Sequence, residues 1–194
     1  MKHTVVALVE DRPGVLNRVA SLFRRRGFNI ESLAVGTTEE AGISRMTIVV
    51  ESENGVVDQV EKQLLKLIDV IEVSDLTNQE AVIRELALIK VACGARNRRE
   101  VLDLIEIFRA HAVDVSPTSL IIQVVADEHL LDALLENLAP YGVMELARTG
   151  QIAMLRGVRT TAVHQPESEV RVLELDLVGP LEVGARSPFN MERA

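Results

Sequence analysis

The segment from Asp11 to Leu16 has residue types that suit the binding of a small amino acid. It follows an apolar, β-branched run and precedes apolar residues at helical spacing, so a strand is predicted to end and a helix to begin there. The first backbone N–H groups of a helix lack partners within it and lie at the positive end of its dipole. A carboxylate can therefore bind at this helix start, where Gly14 allows close approach and Pro13 fixes φ.

An amide and several apolar side chains complete the candidate site. Asn29 follows the predicted helix, and its amide can donate to a carboxylate and accept from an ammonium group. Val15, Leu16 and Ile30 can select a small aliphatic side chain. Asp11 can face the ammonium or cap the helix, and these two roles compete. An Asp-x-Pro-Gly segment is also typical of an ordinary turn and helix cap, so the loop alone leaves both interpretations open.

The chain lacks the common sequence signatures of catalysis. No two of its glycines lie closer than five residues apart, which excludes the dinucleotide fingerprint, and no glycine is followed by lysine, which excludes the P-loop. The four histidines and the single cysteine, Cys93, show no metal-ligand spacing. Because these signatures are missing, a catalytic function is less expected, but it is not excluded. One cysteine cannot form an internal disulfide, which fits a reducing cytosol.

Composition narrows the class of protein further. The 194 residues are 47% hydrophobic, which is enough for a buried core. The 21 basic and 29 acidic residues give a net charge of -8, which argues against a general phosphate-backbone binder. Only 3% of residues are aromatic, so base stacking is not expected. No apolar run is long enough for a membrane span, and Glu10 comes too early for a signal peptide, so we expect a cytoplasmic protein.

Hydrophobic periodicity predicts the same order of elements twice. In the first unit, strands are predicted at 3–9, 28–38, 43–50 and 70–76, with helices over 15–26 and 56–68. Gly27 suits the position just after the first helix, where the chain often takes a left-handed conformation that favours glycine. The order β-α-β-β-α-β is the ferredoxin-like pattern, in which both helices cover one face of an antiparallel sheet.

The second predicted unit has strands at 84–93 and 143–150, two short extended runs within 113–126, and helices capped by Asn97 and Asp127. The fold class is therefore α+β, with two tandem ferredoxin-like units. We predict domains at 1–78 and 79–157, followed by a tail over 158–194. The alternating stretch at 170–177 of that tail suits an edge strand or a partner-docking segment, but a partly ordered terminus is favoured.

The stretch DRPGVLNRVASLFRRRGFNIESL resembles the ACT domain, a β-α-β-β-α-β amino-acid sensor. More narrowly, RRGFNIESLAVG, followed by SRMTIVV and VEKQLLKLIDVIEV, resembles the regulatory (small) subunit of acetolactate synthase, also called acetohydroxyacid synthase. The likeness covers about residues 2–76. It continues more weakly to about 157, through RELALIKVACGARNRREVLDLIEIFRAHAVDVSP and the ELARTG strand.

The resemblance implies a non-catalytic subunit. Such a subunit binds the thiamine-diphosphate-dependent catalytic subunit, raises its activity and confers feedback inhibition by a branched-chain amino acid, usually valine. The catalytic partner condenses two pyruvates, or pyruvate with 2-oxobutanoate, in valine, leucine and isoleucine synthesis. No cofactor is expected in this chain; thiamine diphosphate, Mg and FAD are expected on the catalytic partner. Neither nucleic acid nor a membrane is an expected partner.

The resemblance also implies where the effector binds. Two ACT domains pair in a homodimer, and the effector lies at their interface. One subunit supplies the loop Asp11, Arg12, Pro13, Gly14, Val15 and Leu16, and the other supplies Asn29 and Ile30. The second predicted unit lacks such a loop and is our candidate for contact with the catalytic subunit. The alternatives are an ACT sensor of another enzyme, an ACT-type transcription regulator and a free-standing enzyme on this scaffold.

Overall fold

The computed structural model describes residues 1–51 and 56–161. Within these ranges the chain forms two antiparallel sheets and four α-helices. The strands are β1 (Lys2–Glu10), β2 (Ile30–Thr37), β3 (Ile43–Glu51), β4 (Val70–Asp75), β5 (Ala81–Ala92), β6 (His111–Val115), β7 (Ser119–Ala126), β8 (Val143–Arg148) and β9 (Ile152–Leu155). The helices are α1 (Val15–Arg26), α2 (Val56–Leu64), α3 (Arg98–Ile107) and α4 (Glu128–Leu138), and a short 3-10 turn (Ala139–Tyr141) follows α4.

The first sheet has the strand order β2-β3-β1-β4. Successive side chains of a strand point to opposite faces, so one set of alternate β1 residues faces the helices. That set packs with apolar residues of α1 and α2 in a continuous core. The core includes Val5, Ala7, Val9, Val19, Leu22, Phe23, Ile48, Val60 and Leu64. Both helices therefore cover the same face, as predicted.

The second sheet repeats this arrangement. Its order is β6-β7-β5-β8, so each strand takes the place of its counterpart in the first sheet. Residues of α3 and α4 pack against one face, with Val101, Leu131 and Leu134 fully buried. The prediction of two ferredoxin-like units is confirmed. We call the residues of β1 through β4 the N-terminal half and those of β5 through β9 the C-terminal half.

β5 and β9 cover the face of the first sheet that the helices leave open. β5 begins at Ala81, earlier than predicted, and its first residues pair with β9, from Ala81 opposite Leu155 to Arg84 opposite Ile152. Strand β9 was not predicted, and the strand predicted at 143–150 ends at Arg148. Apolar residues of these segments form a third core with β1. Its members are Val6, Leu76, Ala81, Ile83, Ala153 and Leu155. Both sheets belong to one compact unit.

The helix ends follow local chemistry, with two corrections. Gly27 has φ 71° just after α1, and the Asp127 side chain accepts from the backbone of Leu130 at the start of α4, as predicted. Asn97 precedes α3 but does not cap it, because its Oδ1 accepts instead from the Gly94 N–H at 2.9 Å. Helix α2 ends at Leu64 rather than near residue 68, where the chain turns toward β4.

The predicted boundary between residues 78 and 79 stays a prediction. From residue 162 onward the predicted tail, with its alternating stretch at 170–177, lies outside the described residues. No helix in the described ranges is long and apolar enough to cross a membrane.

Candidate functional site

The loop between β1 and α1 is a type II turn. The N–H of Val15 donates to the Arg12 carbonyl at 3.3 Å, and Gly14 has φ 89° and ψ -9°. These are the angles of the third residue of a type II turn, a position that favours glycine because φ is positive. Pro13 takes the second position, which its fixed φ suits. Pro13 therefore shapes the turn before the helix and is not the first helical residue.

The start of α1 offers backbone amides without a side-chain cap. Gly14 is the N-cap, it has no side chain, and the first turn of α1 contains no acidic residue. The helical bonding begins with the N–H of Arg18, which donates to the Gly14 carbonyl at 3.0 Å. The N–H groups of Leu16 and Asn17 precede that bond and lie at the positive end of the helix dipole. This arrangement suits a carboxylate.

Asp11 and Arg12 are exposed at the mouth of the loop. The N–H of Asp11 donates to the Gly42 carbonyl at 2.8 Å, which ties the loop to the turn between β2 and β3. Arg12 forms an ion pair with Glu10, with 3.0 Å between Nη1 and Oε2. Because Gly14 is the N-cap, Asp11 does not cap the helix. Its carboxylate is therefore available to the other role considered above, contact with an ammonium group.

A buried carboxylate that the sequence did not single out holds this loop in place. The Asp69 side chain is 6% exposed and pairs with Arg18 of α1, with 2.7 Å between Oδ2 and Nε and 2.9 Å between Oδ1 and Nη2. The Asp69 carbonyl accepts from the N–H of Glu10 at 2.8 Å. Asp69 thus joins the end of β1 to the first turn of α1. Arg18 and Asp69 are 51 residues apart, so no local pattern marks them as partners.

The apolar residues of the loop differ in exposure. Leu16 is 46% exposed and can contact a ligand. Val15 is 3% exposed and belongs to the core, so in this conformation its side chain does not face a ligand at the loop.

The second predicted half of the site lies where α1 leads into β2. The N–H of Gly27 donates to the Arg24 carbonyl and the N–H of Phe28 to the Phe23 carbonyl, which ends the helix. Asn29 follows and is exposed, while Ile30 is half-buried against the core.

The two halves of the site lie at opposite ends of α1. This helix has 12 residues, and at 1.5 Å per residue it is about 18 Å long. A valine-sized molecule cannot bridge that distance. Within one chain the structure therefore does not bring Asp11–Leu16 and Asn29–Ile30 together.

Strand β2, which begins at Ile30, has a free edge and borders an apolar cleft at its far end. β2 is an edge strand of the first sheet. Next to it a cleft of about 490 Å³ lies between residues 34–37 of β2 and residues 152–155 of β9. Val35, Ile152 and Met154 line it, and they are 47%, 61% and 65% exposed. These exposures are high for large apolar side chains that share one cleft.

Comparison with known proteins decides the family. Residues 6–72 match a family model described as the AHAS small subunit-like ACT domain, and residues 84–157 match one described as the small subunit of acetolactate synthase. A probable acetolactate synthase small subunit of Archaeoglobus fulgidus is 57% identical over 157 residues, which are 81% of this chain and 98% of the relative. The chain belongs to the acetolactate synthase small-subunit family.

Further members of the family agree in sequence and in structure. The acetolactate synthase small subunit of Bacillus subtilis is 51% identical over 164 residues, which are 84% of this chain and 95% of the relative. The crystal structure of the acetolactate synthase small subunit from Thermotoga maritima superimposes with a TM-score of 0.75 at 40% identity, covering 81% of this chain and 98% of that one. The predicted family and ACT fold are thus confirmed.

Proposed function

We propose that this chain is the regulatory subunit of an acetolactate synthase in the cytoplasm. In this proposal it binds and activates a thiamine-diphosphate-dependent catalytic subunit and makes that enzyme sensitive to feedback inhibition by valine. Membership of the small-subunit family supports a regulatory, non-catalytic role and a catalytic large-subunit partner. The cofactors thiamine diphosphate, Mg and FAD belong, in this proposal, to the partner.

The observation that carries the sensing role is the geometry of α1. One end of the helix presents uncapped amides beside the exposed Asp11 carboxylate, and the other end presents Asn29. The first end complements the carboxylate and ammonium groups of an amino acid. The second end adds an amide about 18 Å away, which is the length of the 12-residue helix. Each chain therefore offers two half-sites, and a second copy can complete both.

The free edge of β2 supports pairing of two copies through the ACT domain. Two-fold pairing of identical edge strands places the same surface of each copy at the interface. It would also cover the cleft beside β2, where Val35, Ile152 and Met154 are exposed. Burying these side chains would favour the dimer by the hydrophobic effect.

An effector shared by two subunits can regulate without any chemistry in this chain. Valine would bind only the dimer arrangement that brings Asp11–Leu16 of one copy to Asn29–Ile30 of the other. Its differential affinity then shifts the population toward that arrangement. Coupling of about 1–3 kcal/mol changes affinity or activity about 5- to 150-fold.

The central experiment combines this chain with an acetolactate synthase catalytic subunit from the same source. Co-purification is expected, together with a rise in activity that valine reverses. Calorimetry of the purified chain with valine measures binding directly. No complex formation and no valine heat at millimolar concentration would overturn the proposal. Turnover of pyruvate by this chain alone would instead favour a free-standing enzyme.

Gly14→Asp tests the placement of the effector carboxylate. A Cβ at Gly14 would meet no atom within 4 Å, so there is space for the new side chain, although the φ of 89° strains any residue other than glycine. The aspartate brings a negative charge to the helix start. We expect valine affinity to fall at least about tenfold through like-charge repulsion, with activation of the catalytic subunit retained.

Gly14→Asn is the matched control. It has the same shape and the same strain at the positive φ of 89°, but it adds no charge. Valine inhibition should survive in Gly14→Asn far better than in Gly14→Asp. Equal inhibition in the two variants would refute the carboxylate placement while leaving the family assignment untouched.

A further inference from the structure

A polar cavity lies between the two halves of the molecule, next to the predicted effector residues Asn29 and Ile30. Its volume is about 310 Å³. The N-terminal half contributes Glu31, Ser32 and Leu33, and the C-terminal half contributes residues of α4 and of the loop between β8 and β9. Glu31 and Ser32 directly follow Asn29 and Ile30 in the chain. The cavity thus begins where the second half-site ends.

One lysine joins the two halves across this cavity. Lys2 Nζ of β1 contacts the carboxylates of Glu31 on β2 and Glu128 at the start of α4. The hydrogen bond from Lys2 lowers the pKa of Glu128 below its usual value, and the bond to Glu128 followed by that to Glu31 raises the pKa of Lys2. Lys2 and Glu128 are therefore both charged at neutral pH. The three side chains are 27–41% exposed, so the ion pairs contribute little to stability.

A second connection runs through the loop between β8 and β9. The N–H of Gln151 donates to Ser32 Oγ at 3.0 Å, and Gln151 Nε2 donates to Glu128 Oε2 at 3.3 Å. Gly150 has φ 83°, and a Cβ there would lie 2.7 Å from Ser32 Oγ. The loop therefore lies directly against β2. We call Lys2, Glu31, Ser32, Glu128 and Gln151 the bridge.

The loop is fixed on its other side to the second sheet. Glu85 of β5 is buried, and its carboxylate binds Arg148 of β8 through two hydrogen bonds of 3.0 and 2.7 Å. Glu85 Oε1 also accepts from the N–H of Gly150 at 3.2 Å. Such a bidentate arginine–carboxylate pair is strong and geometrically specific. A displacement of the loop at Gly150 therefore acts on β5 and β8.

The pairing of β2 with β3 is interrupted near the start of β2. Ile30 lies opposite Val50 and Ser32 opposite Val49, so Glu31 is an extra residue without its own partner on β3. Such a bulge interrupts the ladder of hydrogen bonds locally. The adjoining cavity leaves space for the side chains of the bridge to take another arrangement, which a close-packed junction would not.

We propose that the bridge transmits effector occupancy at Asn29 and Ile30 to the C-terminal half. An effector that positions these residues moves Glu31 and Ser32, and the bridge passes this movement to the start of α4 and to the loop between β8 and β9. Lys2, Glu128 and Gln151 are positioning residues that need not touch the effector. The proposal rests on the proposed function, because it assumes that valine binds at Asn29 and Ile30.

Lys2→Met and Glu128→Gln test the bridge in the full chain combined with the catalytic subunit. Calorimetry on the isolated variants should give a valine affinity within about twofold of the unsubstituted chain, because neither residue belongs to the half-sites. Inhibition of the complex should need at least about fivefold more valine, the lower end of typical allosteric couplings. Lys62→Met and Glu136→Gln, at exposed helical positions, are the controls and should leave inhibition unchanged.

Hydrogen exchange gives a readout that does not depend on activity. In the unsubstituted chain, valine should slow exchange in the segments 127–132 and 149–152, and this protection should disappear in Lys2→Met. Ser32→Ala removes only the oxygen that accepts from Gln151 and should weaken the same protection without threatening the fold.

The outcomes separate the two proposals. Absence of valine heat in the unsubstituted chain would overturn the proposed valine sensing and the bridge with it. Valine binding with unchanged inhibition and unchanged protection in Lys2→Met and Glu128→Gln would overturn the bridge alone. Loss of inhibition equally in the two control variants would also count against it.

Discussion

At the scale of single residues, Arg98 binds three backbone carbonyls of the C-terminal half. Its Nη2 donates to the carbonyls of Cys93 at 3.1 Å and Pro117 at 3.0 Å, and also to that of Ser116. The guanidinium thus joins the end of β5, the start of α3 and the turn between β6 and β7. Arg99, the next residue, is exposed.

Arg98→Ala should lower the free energy of unfolding by about 2 kcal/mol, because hydrogen bonds from a charged donor contribute about 1.5–3 kcal/mol. Urea denaturation followed by circular dichroism measures the loss. Arg99→Ala is the control and should change stability by less than about 0.5 kcal/mol. Equal losses in the two variants would show that Arg98 has no special structural role.

Arg109 has a backbone conformation that suits glycine. Its φ is 53°, and no other described residue apart from glycine has a positive φ. Arg109 lies just after α3. The next N–H, that of Ala110, donates to the Ile105 carbonyl at 2.9 Å and closes the end of the helix. Gly27 takes the same conformation after α1.

Arg109→Gly should raise the free energy of unfolding by about 0.5–1 kcal/mol. Relief of left-handed strain, about 1–2 kcal/mol, exceeds the added entropy of the unfolded chain. The melting temperature should rise accordingly. Arg96→Gly, at an exposed position without a positive φ, should lower it. A lower melting temperature for Arg109→Gly would contradict the assignment.

At the scale of elements, the close approach between the loop after β8 and strand β2 explains how the two halves are held together. Gly150 lies against Ser32, and a Cβ there would also lie 3.3 Å from the Leu33 carbonyl oxygen. Gly157, after β9, has a similar φ of 74°, but a Cβ there would meet nothing within 4 Å. The two glycines have similar φ angles but differ in the space around them.

Gly150→Ala should therefore destabilise the protein more than Gly157→Ala. Both variants place alanine at a positive φ, which destabilises the folded state by about 1–2 kcal/mol, and only Gly150→Ala adds a steric clash. We expect the difference between them to be at least about 1 kcal/mol, the lower limit for overpacking. Chemical denaturation of the two variants side by side measures it. Equal destabilisation would mean that the loop moves away from β2 at little cost.

At the scale of the whole molecule, the proposed dimer makes use of both halves. The cleft beside β2 is lined by β9, so a partner copy that pairs with β2 would also contact the C-terminal half. Met154 of β9 lines this cleft, whereas Met144 of β8 does not, although the two are similarly exposed at 65% and 62%.

Met154→Asp should weaken self-association at least about tenfold, because a buried unpaired carboxylate is strongly disfavoured. Met144→Asp, the matched control, should leave the dimer intact. Analytical ultracentrifugation over a range of concentrations measures both dissociation constants. A dimer unaffected by Met154→Asp would place the interface elsewhere.

Much of the fold follows from patterns that span fewer than about fifteen residues. Period-2 and period-3.6 hydrophobicity indicated each strand of the β-α-β-β-α-β order, and Gly27 and Asp127 marked helix ends correctly. The sequence prediction failed in two places. Asn97 bonds to Gly94 instead of capping α3, and β9 is too short to show a period of its own.

Some features of the candidate site were likewise predictable from the sequence, and others were not. The sequence by itself determined the turn at Pro13 and Gly14 and the exposed amides of α1, because φ preferences and helix ends are local properties. Only the tertiary structure decided that Asp69 anchors Arg18, and that β9 covers the first sheet and lines a cleft beside β2. These contacts join residues far apart in the chain, and which of them form depends on how the sheets stack and not on any neighbouring residue.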